Sequence, residues 1–435
     1  MGAETRFTQA RMVEANAEYL VYKDGNVTKA KNCSTGAIEI ANIDPTSVIQ
    51  YALDAVTAGM VFLKSGKYTI TDTLTISNQG TEFCGNMWRG SDGPGDYGIH
   101  LDDNIDKDML QIDGLKCHVH DLFLYGNSEN NASGSCIKTV NNASLDLHLT
   151  DVYLLFAKEY GLELYGGAGH FVGVYSEYCD KVGFFLESSA TRNNFLNCGS
   201  YSCNWGYEVK RSENRFLGCI AADSTEYGWL IESSGAVKNI LDGCMIQNTT
   251  KEALWLYGGS HNIISNCIFY NAGDGTDNTY AAVKISLIGG PTHSTHNLFS
   301  NNLILSDAAN KHRWGFYEVD ANQDFNMYMG NMILDSTLYG MSLLGANDIV
   351  KDNMGWVNEN YGSVSGVLCS GFIAHGLAAT PIYINLTPGH GGCFCNDYNA
   401  SITSGSINAS GFHVSLVTTC SGVPASGMVY WEAKT

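Results

Sequence analysis

From residue 161 to residue 353 the chain alternates apolar and polar positions in short runs, and the runs recur. Each opens on Gly or Ala: Gly161-Leu-Glu-Leu, Gly183-Phe-Phe-Leu, Gly206-Tyr-Glu-Val, Gly228-Trp-Leu-Ile, Ala253-Leu-Trp-Leu, Ala282-Val-Lys-Ile, Gly315-Phe-Tyr-Glu and Gly340-Met-Ser-Leu. The openers lie 22, 23, 22, 25, 29, 33 and 25 residues apart. Alternation of period two inside a near-fixed longer period predicts a solenoid of stacked strands. A second phrase returns between the runs: a polar residue, any residue, a large apolar one, any residue, then Gly, Asn or Asp, then Cys or Asn. It begins at Asn193, Asn214, Asn239, Asn262, Asn297, Asn326 and Asp348. Its fifth place suits a sharp corner, because Gly and Asn tolerate left-handed backbone. Three short strands per turn then give a parallel β-helix. The sixth place, Cys198, Cys219, Cys244 and Cys267 followed by Asn302, Asn331 and Asn353, is expected to be a buried column of small side chains.

Ahead of the ladder, strand patterns at 18–25 and 37–41 precede apolar residues at helical spacing over 44–56, with capping residues in front. From Met60 to Ile76 the period returns to two. Ile49-Gln-Tyr-Ala-Leu-Asp54 followed by Val61-Phe-Leu-Lys-Ser-Gly-Lys-Tyr68 resembles the plug helix and first coil of the right-handed β-helix proteins of the pectate-lyase-like superfamily. The resemblance spans roughly residues 20–355 and speaks to fold, since the superfamily holds lyases, hydrolases, isomerases, tailspikes and adhesins. It implies an all-β chain: N-terminal strands and a capping helix over 1–59, then a right-handed parallel β-helix of about 10–11 coils over 60–358. A small antiparallel, β-sandwich-like C-terminal domain is expected over 359–435. There His375-Gly-Leu-Ala-Ala-Thr-Pro381 and the Tyr430-Trp431 strand are similar to the appended module of phage tail and archaeal surface β-helix proteins. That likeness implies capping, attachment or a homo-oligomer, a trimer, formed through this domain.

Composition narrows the partners. A formal charge of −20 argues against nucleic acid and disfavours polyuronates, whose grooves are normally lined with Lys and Arg. No run approaches the length of a membrane span. Fourteen Cys and sequons such as Asn131-Ala-Ser and Asn248-Thr-Thr point to an extracellular setting: secreted, on a cell surface or in a virion. In that setting Cys179 and Cys203, just before successive openers, are placed to bridge adjacent coils. Cys369, Cys393, Cys395 and Cys420 are expected as two disulfides rather than a zinc site.

Superfamily active-site signatures are missing in stackable positions: Asp102-Asp103 and Gly389-His390-Gly391 occur, but no Arg-Ile-Lys accompanies them. What remains is strand geometry. The third residue of each run points outward and reads Glu163, Phe185, Glu208, Leu230, Trp255, Lys284, Tyr317, Ser342; the fifth reads Tyr165, Glu187, Lys210, Glu232, Tyr257, Ser286. One exposed face thus gathers four carboxylates beside aromatic rings. Glu208 and Glu232, one coil and two residues apart, should stand ~8 Å from each other, inside the roughly 6.5–9.5 Å window of inverting glycoside hydrolysis. Lys210 would hold Glu232 ionised as base, and Glu208, desolvated, would serve as acid. Lys210, Trp255, Tyr257, Tyr165, Glu187, Lys284 and Tyr317 are the expected polysaccharide contacts. The bland alternative is a salt-bridge row, Glu187-Lys210-Glu232, on an ordinary sheet face. His118 and His120 share a face but lack converging ligands in the linear sequence, so neither metal nor cofactor is expected. Two readings stay open: a glycan-cleaving protein, hydrolase before lyase, and a non-catalytic surface or tail-fibre protein.

Overall fold

The computed structural model describes residues 16–86, 97–140, 146–287, 293–307 and 311–355, and strand backbone between 359 and 434. Through residue 349 the chain winds as a parallel β-solenoid. One coil shows the plan: Asn194–Leu196 lies on a first sheet, Gly199–Tyr201 on a second and Trp205–Val209 on a third. The third sheet holds eleven strands, from Leu74–Ile76 to Tyr339–Ser342, so there are about eleven coils. The openers are small because the corner behind them is tight. A Cβ on Gly161 or Gly183 would strike Ser176 or Ser200 of the second sheet.

The N-terminus closes the solenoid. Tyr19–Asp24 pairs parallel with Met60–Leu63 and antiparallel with Val27–Asn32, which pairs in turn with Ile38–Asn42. The helix Pro45–Ala55 then plugs the first coil; Asp44 caps it by accepting from the Thr46 N–H, and Val48, Ile49, Ala52 and Leu53 are buried. Its polar residues satisfy the open sheet edge. The Gln50 amide accepts from Thr75 N–H and donates to Thr75 C=O, and Thr46 Oγ1 accepts from Thr71 N–H. Bonds of this kind occupy edge groups that could otherwise recruit another strand.

The repeated phrase is a corner device. Its fifth residues are left-handed, with φ of 52° at Asn197, 61° at Gly218, 62° at Gly243 and 55° at Asn266, as are Asp121 and Asp151 in earlier coils. Its first residues form a buried amide ladder in which each side-chain oxygen accepts from the backbone N–H of the preceding rung. The steps are Asn193 to Asn214 (3.0 Å), then Asn239 (2.9 Å), Asn262 (2.9 Å), Asn297 (2.9 Å) and Asn326 (3.0 Å). The Cys column is buried as free thiols, and each Sγ donates to a carbonyl one coil back, as Cys219 does to Phe195. Asn302 continues it with the same bond to Ile264. Cys179 and Cys203 do meet on successive coils, the Cys179 N–H lying 3.4 Å from Cys203 Sγ, and both are free thiols rather than a bridge. Inside, rings stack from coil to coil: Phe171 on Phe195 on Phe216, and Phe184 on Tyr207 on Trp229.

The ladder ends on a carboxyl. Asp348 Oδ1 accepts from Asn326 N–H, while burial and the neighbouring Glu318 carboxylate push the Asp348 pKa from 3.8 up to about 8. The folded chain therefore holds a proton that the unfolded chain releases. Stability is greatest below the unfolded value and is lost as pH rises toward and through about 8. Asp348→Asn supplies the ladder's usual amide and removes the titration. A thermal unfolding series should find this variant above the parent in melting temperature at about pH 9, with the gap closing at about pH 5. Parallel curves would contradict the assignment.

A second unit carries the C-terminal strands. Glu359–Leu368, Ser426–Lys434 and Tyr383–Gly389 form one antiparallel sheet, and Ser370–Ala374, Gly411–Thr418 and Tyr398–Ile402 another. His390 and the four Cys at 369, 393, 395 and 420 lie outside the described residues.

Candidate functional site

The outward column of the third sheet is in register across eight coils. Glu163 pairs with Phe185, Phe185 with Glu208, Glu208 with Leu230, Leu230 with Trp255, Trp255 with Lys284, Lys284 with Tyr317 and Tyr317 with Ser342. Glu232 stands beside Tyr257, and Tyr257 beside Ser286. Glu208 and Glu232 are therefore diagonal neighbours, one strand and two residues apart, which places them ~8 Å from each other.

The electrostatics differ from the sequence expectation in two respects. Glu163 and Glu208 point outward yet are buried, at 4% and 5% exposure, so the face does not present four exposed carboxylates. Side chains of adjacent coils lie over them. Glu163 accepts from Ser135 Oγ (3.0 Å) and Tyr165 OH (3.1 Å), and Lys138 Nζ stands 3.0 Å away. Lys210, expected on Glu232, turns instead to Glu208 at 2.9 Å, with its ammonium 4.6 Å from the centre of the Phe185 ring. Farther along, Lys284 pairs with buried Glu252 at 3.3 Å and lies 4.5 Å above Trp255. A Glu–Lys–aromatic unit thus recurs at Glu163, Glu208 and Glu252, on every second coil. Burial raises the Glu208 pKa, with Glu232 and Glu187 adding to the rise and Lys210 opposing it. Glu208 is thus desolvated, as expected at this position.

Aromatic platforms flank the carboxylates. Tyr227, Trp255 and Tyr257 form a continuous patch with centroid separations of 5.2 and 4.9 Å, and Trp255 Nε1 donates to Ser286 Oγ at 2.7 Å. Beyond them Tyr317 stacks on Trp314 at 4.2 Å. On the other side Tyr160 stacks on Phe185 at 4.5 Å, and Tyr165 stands over Glu163. Tyr165 and Tyr257 are four coils apart, so the expected contacts divide into two groups with Glu187, Glu208, Lys210 and Glu232 between them.

Sequence reasoning missed two features of this face. The residue just before each opener, Tyr160, Trp205, Tyr227 and Trp314 among them, adds a third aromatic-rich column, legible as a recurring position. At the N-terminal end of the face Asp72, Asp106, Asp108, Gln111, Lys138 and Glu159 line a polar cavity of about 410 Å³. Only the run of Asp from 102 to 108 hints at it. Of the acids that precede the openers, Asp223 is exposed, Glu226 pairs with Lys251 and Trp205, and Glu177 is buried.

Residues 160–323 match the family model described as the right-handed β-helix region. Among solved structures the chain is similar to the A-module of the Azotobacter vinelandii mannuronan C-5 epimerase AlgE6, with TM-score 0.55 and 16% identity over 70% of this chain and 93% of that one. It is also similar to the A-module of AlgE4 from the same organism, with TM-score 0.52 and 17% identity over 70% and 95%. The enzymatically active domain of tailspike protein 2 of bacteriophage CBA120 aligns with TM-score 0.53 and 13% identity over 78% of this chain and 55% of that one. No curated protein matches in sequence. The fold defined by these strands and likenesses is the right-handed parallel β-helix. Among the described residues no helix is long and apolar enough to cross a membrane.

Proposed function

We propose that this chain is an extracellular or virion-borne protein that binds a polysaccharide along the outer face of its third sheet and hydrolyses it. Glu208 is the general acid and Glu232 the base that activates water. The observation that carries the reading is the diagonal pair Glu208 and Glu232 lying between two aromatic platforms on one in-register row. Rings spaced along the solenoid axis offer apolar faces to successive sugars, and the acid between them is desolvated as a proton donor requires. The fold is shared with an epimerase module named for mannuronan and with a phage tailspike domain described as enzymatically active. A neutral glycan fits best, because the face's lysines, Lys138, Lys210 and Lys284, are each matched by a carboxylate.

A second reading is a non-catalytic glycan-binding or fibre protein, trimeric through its C-terminal unit. The recurring Glu–Lys–aromatic unit favours it, since each carboxylate is already engaged. Both readings need the platforms. Trp255→Ala should weaken glycan binding roughly tenfold, about 1.4 kcal/mol, in affinity electrophoresis. Unchanged mobility shifts would remove this face from either reading.

A further inference from the structure

The first sheet carries a different chemistry. Glu82 and Cys84 project from the same side of one strand, and His120 stands on the next strand in register with Cys84. One ligand atom from each of the three lies within 4.8 Å of the other two, the only such His, Cys and carboxylate set among the described residues. In the linear sequence His120 had no converging partners; coil stacking supplies them.

We propose that Glu82, Cys84 and His120 bind a zinc ion. Thiolate, imidazole and carboxylate are the donors that borderline-soft Zn²⁺ takes, and three protein ligands leave a fourth position for water. Two features outside the ligand set agree. His120 Nδ1 donates to Asp121 Oδ2 at 2.8 Å, which orients the ring, and its Nε2 faces Glu82 Oε1, also 2.8 Å away, so an ion bound there would take the place of the Nε2 proton. A carboxylate behind a ligating histidine is the usual outer support of a zinc site. Cys84 is fully buried against Ala17 and Phe62, with Leu20 and Met60 beside them, so one wall is apolar; the Glu82 side chain, 34% exposed, marks the open side. The ion would clip the third coil to the second beside the N-terminal ribbon, on a different sheet from the glycan face.

The test is equilibrium dialysis of the chelator-treated full chain against zinc alone, with cobalt as a spectroscopic substitute. The wild type is expected to retain one zinc per chain, and its cobalt form to show a thiolate-to-cobalt charge-transfer band. Cys84→Ser, nearly isosteric, should abolish the band and weaken zinc binding at least tenfold while circular dichroism stays unchanged. His120→Gln should do the same to affinity, and Asp121→Asn should cost about 10–100-fold through loss of orientation. Glu82→Gln, at a partly exposed position that does not threaten the fold, should also weaken binding. No zinc retained by the wild type would overturn the proposal, as would equal retention by Cys84→Ser and His120→Gln.

Discussion

Glu208→Gln should slow glycan cleavage by about 10²–10⁴-fold, the usual contribution of a positioned general acid. The amide keeps the shape of the carboxyl and can still meet Lys210, so the melting temperature should stay near that of the parent and the loss can be read as chemical. The pH profile carries the sharper signature. Burial holds the Glu208 carboxyl protonated above the ordinary range, so the alkaline limb of the parent's rate profile should lie higher than for a solvated glutamate and vanish in the variant. Glu232→Gln should be comparably slow. Full turnover by both variants, measured as initial rates of reducing-end release, would sink the assignment of this pair.

The second large effect is structural. Asn262 sits midway along the buried ladder: its Oδ1 accepts from the Asn239 N–H and side-chain amide, and its Nδ2 donates to Ala236 C=O and Asn297 Oδ1. Asn262→Ala deletes these bonds in a region without solvent and leaves at least two main-chain groups unpaired. At roughly 1–3 kcal/mol for each orphaned group, the variant should lose about 3–5 kcal/mol. Urea unfolding should show this as a lower midpoint at an unchanged slope. A loss under about 1 kcal/mol would mean that water enters the corner and replaces the amide.

These two sites mark where the sequence was readable. Strand alternation dictates which side each residue faces, and the Gly openers set the register. The column from Glu163 to Ser342 could therefore be written down from the chain, and its pairing in space agrees residue by residue. The corner residues were equally plain, because left-handed backbone leaves few choices. Alternation does not say where a long side chain turns. Lys210 could reach either glutamate, and cover from neighbouring coils, which buries Glu163 and Glu208, is a property of three coils at once. The cavity at Asp72 and Asp108 draws on irregular loops, where no period fixes direction. Cys84 and His120, 36 residues apart in sequence, meet only because their two coils stack in register.

The most direct measurement is a product assay of the purified chain on a panel of neutral and acidic polysaccharides, following reducing ends, ultraviolet absorbance of unsaturated products and the anomeric form first released. Hydrolysis by the diagonal pair should give new reducing ends from a neutral glycan, without unsaturated product and with inverted configuration. Unsaturated ends would contradict hydrolysis, a retained anomer would contradict the diagonal pair, and binding without product across the whole panel would leave the non-catalytic reading standing in its place.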